Sequence, residues 1–62
     1  MTPEEILARA PAMRELLLNE IGRFCLDMAV QYAADSMATM DMGERSRLAT
    51  ASAAMLTKAS KA

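Results

Sequence analysis

The ten residues SMATMDMGER, Ser36–Arg45, decide how this chain folds. They place three of its seven methionines at Met37, Met40 and Met42. Asp41 with Glu44 at the third position after it is the pattern of a helix start: the aspartate accepts from the first free backbone N–H groups and the glutamate reaches back. The reading therefore puts one helix up to about Ala38, a turn of two or three residues, and a last helix from about Met42 to Ser60. So short a connection forces the two helices antiparallel.

Upstream, Thr2-Pro3-Glu4-Glu5 is a second start signal: Thr2 caps, Pro3 suits the first helical position and Glu5 completes a capping box. Pro11 has no N–H for the carbonyl of Leu7 and disfavours the α region at Ala10. The expectation is a short helix over residues 3–10 and a central helix over 11–38, with a kink at Pro11 as the alternative. At 100° per residue, Leu17, Leu18, Ile21, Phe24, Cys25, Met28, Ala29 and Tyr32 fall within an apolar arc of about 200°. Gly22 lies inside that arc, where it costs ~1 kcal/mol relative to alanine. The expected compensation is close approach of another backbone. Leu16 and Val30, on the polar side, point to further contacts.

The fold class that follows is all-α, a short N-terminal helix plus an antiparallel helical hairpin, in one domain over residues 1–62. A chain of 62 residues buries only ~60% of its unfolded surface. Partner helices also hide a narrower arc than the central helix offers. Pairing of two hairpins into a four-helix-bundle homodimer covers the remainder, with Leu17, Leu18, Ile21, Phe24, Cys25, Met28 and Tyr32 as the expected oligomer interface. In architecture alone the chain resembles the Rop-type helical hairpins, which pair into a four-helix bundle and bind RNA through one face. No residue motif carries that function across.

The chemistry is sparse. One cysteine and no histidine exclude an internal disulfide, a zinc site, and a Cys/His or Ser/His dyad. Catalytic, cofactor-binding and metal residues are therefore assigned to none, and no enzyme activity is expected. Met37, Met40 and Met42 have thioethers that suit Cu(I). Without companion ligands and across a turn, they read as turn packing or as a candidate partner surface. Cys25 reads as a buried thiol, and Asp27 with Arg23, four apart, as a surface pair.

Seven basic and eight acidic residues give a net charge of −1, against a strongly basic nucleic-acid binder. The charge is unevenly placed, however. Residues 1–42 carry Arg9, Arg14 and Arg23 against seven carboxylates, whereas residues 43–62 carry Arg45, Arg47, Lys58 and Lys61 against Glu44 alone. Arg47, Lys58 and Lys61 share one helix face and are the candidate nucleic-acid contact, although no aromatic residue is interleaved with them.

The functional expectation is a small helical interaction or regulatory protein that self-associates and docks on a partner protein to inhibit or modulate it. This build is common among phage and mobile-element proteins. The alternatives are a nucleic-acid-binding regulator and a scaffold component forming a larger oligomer. An acidic N-terminus, no long uncharged run and the lone cysteine lead to a cytoplasmic, membrane-free expectation.

Overall fold

The computed structural model describes residues 1–62 as three helices: α1 over Pro3–Leu16, α2 over Glu20–Ala38 and α3 over Met42–Lys61. α2 and α3 form the hairpin, and α1 lies chiefly on α2, touching α3 little. None of the helices is long and apolar enough to cross a membrane.

The first start signal forms as a capping box. The Thr2 hydroxyl accepts from the Glu5 N–H at 3.2 Å, and the Glu5 carboxylate accepts from the Thr2 N–H at 3.2 Å. That backbone bond, followed by one from the Thr2 hydroxyl, holds the Glu5 carboxyl below the usual carboxylate range.

The expected boundary at Pro11 is corrected. α1 runs through Pro11 to Leu16, and the break falls at residues 17–19. The stripe Ile6, Ala10, Met13, Leu17 continues across Pro11 at spacings of four, three and four, and its members pack against the two small core clusters. Pro11 itself is exposed. Burial of that stripe outweighs the backbone bond lost at Leu7, which is how tertiary packing overrides a local helix breaker.

The real break is well satisfied. Leu17 turns extended, at φ −93° and ψ 114°, while the Asn19 side chain caps α2 by accepting from the Ile21 N–H at 2.7 Å. Arg23 Nε donates to the Leu17 carbonyl at 2.6 Å. The start of α2 thus supplies its own cap and a partner for the open carbonyl at the end of α1.

The hairpin seam is built of small residues. Ser36 Oγ donates to the Arg45 carbonyl at 2.8 Å, and Ser52 Oγ donates to the Ala29 carbonyl at 2.6 Å. A β-carbon placed on Gly22 would sit 3.3 Å from the Ala59 carbonyl oxygen. Gly22, Ala29 and Ser36 are seven residues apart along α2, and their partners Ala59, Ser52 and Arg45 are seven apart along α3. The register is therefore uniform from one end of the seam to the other, as in a coiled coil. Gly22 earns its place in a helix by this approach.

Small residues at the seam leave little for a core. Only ten of 62 residues are buried, and among them Ile6 and Leu26 are the only large aliphatic side chains. The accessible surface is 4220 Å² against ~3,900 Å² for a compact monomer of this mass. The protein keeps more surface in water than its size requires.

Two substitutions test these assignments. Ser52→Ala is expected to cost about 1 kcal/mol by losing a buried hydrogen bond, and Ser52→Leu more, because overpacking forces the helices apart. Urea unfolding followed by circular dichroism measures both. Pro11→Ala restores the missing backbone donor within α1 and is expected to stabilise the fold by about 1–3 kcal/mol, read in the same titration. An unchanged midpoint would place Pro11 at a true helix end.

Candidate interaction surface

The large apolar side chains that the seam cannot accept are displaced to the outside. Phe24, the chain's only phenylalanine, is 63% exposed, and Ile21 is 67% exposed. With the half-buried Met28 and Tyr32 they line the side of α2 that neither helix neighbour covers. This follows from the helical period. Gly22, Ala29 and Ser36 face α3, while Leu26, Val30 and Asp27 face α1, which leaves Ile21, Phe24, Met28 and Tyr32 on a third side.

α3 has a matching side. Met42, Ser46 and Ala49 lie beside Pro3 and Glu4 of α1, and Leu56, Thr57 and Ser60 line a groove of about 390 Å³ with Met13 and Leu16. Across α3 from these, at 48, 51 and 55, Leu48, Ala51 and Met55 are half-buried. Met55 also reaches inward against both core clusters. The hairpin thus presents an apolar face two helices wide, on the side away from α1.

The residues expected at an oligomer interface divide. Leu18, Ile21 and Phe24 are exposed, and Met28 and Tyr32 are half-buried at the edge of the face. Two are corrected. Cys25 is buried in the chain's own core beside Ala10, Leu26 and Ala59, and the half-buried Leu17 packs against that cluster from the break. Cys25 is buried because it lies on the seam side of α2; for Leu17 the cause is the break, since ending α1 at Leu16 takes Leu17 and Leu18 off the helical wheel that had placed them in line with Ile21.

At the tip of the hairpin, Met37, Met40 and Met42 are exposed, Met40 at 97%. The backbone beneath them is firmly held. Asp41 accepts from the N–H groups of Gly43 at 2.9 Å and Glu44 at 3.4 Å. Arg45 Nε donates to the Ser36 carbonyl at 3.2 Å, and its Nη2 to the Met37 carbonyl at 3.5 Å. Arg45 thereby caps the C-terminal end of α2 from the first turns of α3. The sequence reading missed this role, and the signal was there: an arginine four residues past the cap stands level with the last turn of α2. Side chains that adapt on a backbone that does not are the usual make-up of a recognition surface.

The charged residues are also redistributed. Asp27 pairs with Arg14 of α1 and not with Arg23, which is occupied at the Leu17 carbonyl. Arg47 pairs with Glu44, whose carboxylate pushes the guanidinium up from its ordinary value. Arg47, Lys58 and Lys61 stand exposed along the outer side of α3. No three side chains among His, Cys, Asp and Glu come together in a cluster that would hold a metal ion. Comparison with protein-family models, curated proteins and solved structures finds no match to this chain.

Arg45→Ala is expected to cost about 1 kcal/mol in urea unfolding by releasing the tip's two carbonyls. It should also raise amide exchange at Thr39 to Asp41 while leaving exchange at the seam near Ala29 unchanged. Uniform loss of protection would instead show that the tip is not a separate unit.

Proposed function

We propose that this is a non-enzymatic interaction protein that self-associates through the outer face of its hairpin and docks on a partner protein through its methionine tip, inhibiting or modulating that partner. The observation that carries the reading is the inverted burial of the hairpin: the seam holds Gly22, Ala29, Ser36 and Ser52, and the face holds Ile21 and Phe24. A contiguous apolar face of this kind on a small protein marks a contact surface.

Two features support separating the functions of face and tip. The face is two helices wide and runs along the hairpin, which suits another helical surface. The tip is compact and rich in methionine, whose unbranched, polarisable side chain repacks against partners of different shape. The basic side of α3 is less suited to nucleic acid, since Glu44 already engages Arg47 and no aromatic side chain stands between the bases for stacking.

The test is affinity purification from the native host followed by mass measurement of the intact complex, with the wild-type chain and a Met40→Glu variant. The expected result is a protein complex that survives moderate salt with the wild type and is lost with Met40→Glu. Circular dichroism of the variant should be unchanged, because Met40 lies outside the helices. Recovery of nucleic acid whose retention falls steeply between low and moderate salt would overturn the proposal in favour of a phosphate-binding regulator. A mass corresponding to many copies and no other protein would indicate a scaffold.

A further inference from the structure

We infer that the Ile21, Phe24, Met28 face of α2 is covered by α3 of a second copy, in a dimer whose two-fold axis runs along the helices, so that both methionine tips lie at one end. This inference rests on the self-association proposed above and specifies its geometry.

Two closed dimers are available to an antiparallel hairpin that buries one face. With the two-fold axis across the helices, α2 packs on α2 of the second copy and α3 on α3, and the two tips point in opposite directions. With the axis along the helices, α2 packs on α3 of the second copy and the tips lie side by side. Both bury the same apolar residues. Charge beside the face distinguishes them.

Next to the face, α2 carries Glu20, Gln31 and Asp35, with Asp27 further round; its one basic residue, Arg23, is turned away to the Leu17 carbonyl. The outer side of α3 carries Arg47, Lys58 and Lys61. The transverse arrangement would set the acidic edge against its own copy and the basic edge against its own. The longitudinal arrangement sets acidic against basic on both sides of the dimer.

The register strengthens the choice. An axis along the helices preserves height, so the levels that pair Gly22 with Ala59, Ala29 with Ser52 and Ser36 with Arg45 within one copy hold between copies as well. Continuing those levels places Asp35 of one copy beside Arg47 of the other, and Glu20 beside Lys61. Phe24 comes level with Thr57 of the second copy, where the stem of Lys58 can lie over its ring, a favourable arrangement for a cation and an aromatic face. Arg47 then lies between Glu44 of its own helix and Asp35 of the second copy.

The area is sufficient. Helices of 19 and 20 residues are about 28 Å long, and two side by side at 8–10 Å present a flat footprint of roughly 500 Å². The accessible area of so corrugated a surface is larger, approaching the ~800 Å² per partner of a standard stable interface.

The consequence for function is that six methionines, Met37, Met40 and Met42 from each copy, gather at one end, while the break at residues 17–19 and its groove lie at the other. A partner would meet two symmetry-related methionine clusters at the same end, each on the α1 side of its own copy.

Sedimentation equilibrium with charge variants tests the geometry. Wild type is expected to be a dimer at micromolar concentration, and Phe24→Glu a helical monomer. Asp35→Lys and Arg47→Asp, each changed twice in the dimer, are expected to weaken association roughly tenfold apiece, and the double variant to return to within about threefold of wild type. If the axis lies across the helices, Arg47 comes level with the turn of α3 that carries Lys58 in the second copy, so Arg47→Asp relieves like-charge repulsion and tightens the dimer, which overturns the proposed geometry while leaving self-association intact. A wild type that is monomeric at these concentrations overturns both.

Discussion

The close approach of α2 and α3 governs the rest of this molecule. Ser52 reaches the carbonyl of Ala29 directly, Ser36 reaches that of Arg45, and a β-carbon on Gly22 would crowd the Ala59 carbonyl oxygen at 3.3 Å. Hydroxyls that reach a neighbouring helix's backbone require that helix to be near, and nearness excludes large side chains from between. Close seams gain dispersion contacts and buried hydrogen bonds but little transfer free energy, because alanine and serine carry little apolar area. A hairpin held in this way has its geometry well specified and its stability poorly supplied.

The large side chains must then go elsewhere, and they go in two directions. On one side α1 brings Ile6, Ala10 and Met13 against Leu26, Ala29, Ala33 and Val30, and this is where most of the chain's own apolar burial occurs. On the other side Ile21, Phe24, Met28 and Leu48 have no third helix to meet. The asymmetry explains why α1 persists through a proline: it supplies Ile6 and Ala10, two of the seven buried apolar residues of the core, and a helix ending at Ala10 would give up Met13 and the Arg14–Asp27 pair. It also leaves the open side as the face through which self-association is proposed.

The hairpin and its turn were legible in the sequence because they depend on local chemistry. Thr2 with Glu5, and Asp41 with the N–H groups of Gly43 and Glu44, act within one helical turn, and both caps form where their residue types place them, although the Glu44 carboxylate turns to Arg47 instead of reaching back to complete a second capping box. Gly22 was legible as a close approach because nothing else rewards glycine inside a helix. What was not legible depended on partners distant in the chain. Pro11 reads as a boundary until one knows that Ile6, Ala10 and Met13 share a face worth burying. The break at 17–19 falls in a run of three leucines with no glycine or proline to mark it, and its one local signal, Asn19 two residues ahead of Ile21, is a cap that a continuous wheel conceals. Cys25 and Phe24 lie on adjacent parts of one apolar arc, and only the direction of the α3 seam decides that the smaller is buried and the larger exposed.

The tip shows how one constraint serves another. Ser36 and Arg45, which close the last seam contact, are also the residues that hold the backbone under Met37, Met40 and Met42. Arg45 satisfies two carbonyls that would otherwise be open at the end of α2, and Asp41 satisfies two N–H groups at the start of α3. With the backbone's polar groups partnered internally, the tip needs little from a ligand except apolar contact. A surface of that sort recognises shape more than hydrogen-bond pattern, and three flexible thioethers per copy adjust to that shape by changing rotamers. Ordering those side chains costs entropy on binding, but the backbone, already fixed by the seam, adds nothing to it. The same hydroxyl-to-carbonyl contacts that expel Phe24 from the hairpin therefore also fix the backbone of the tip through which docking is proposed.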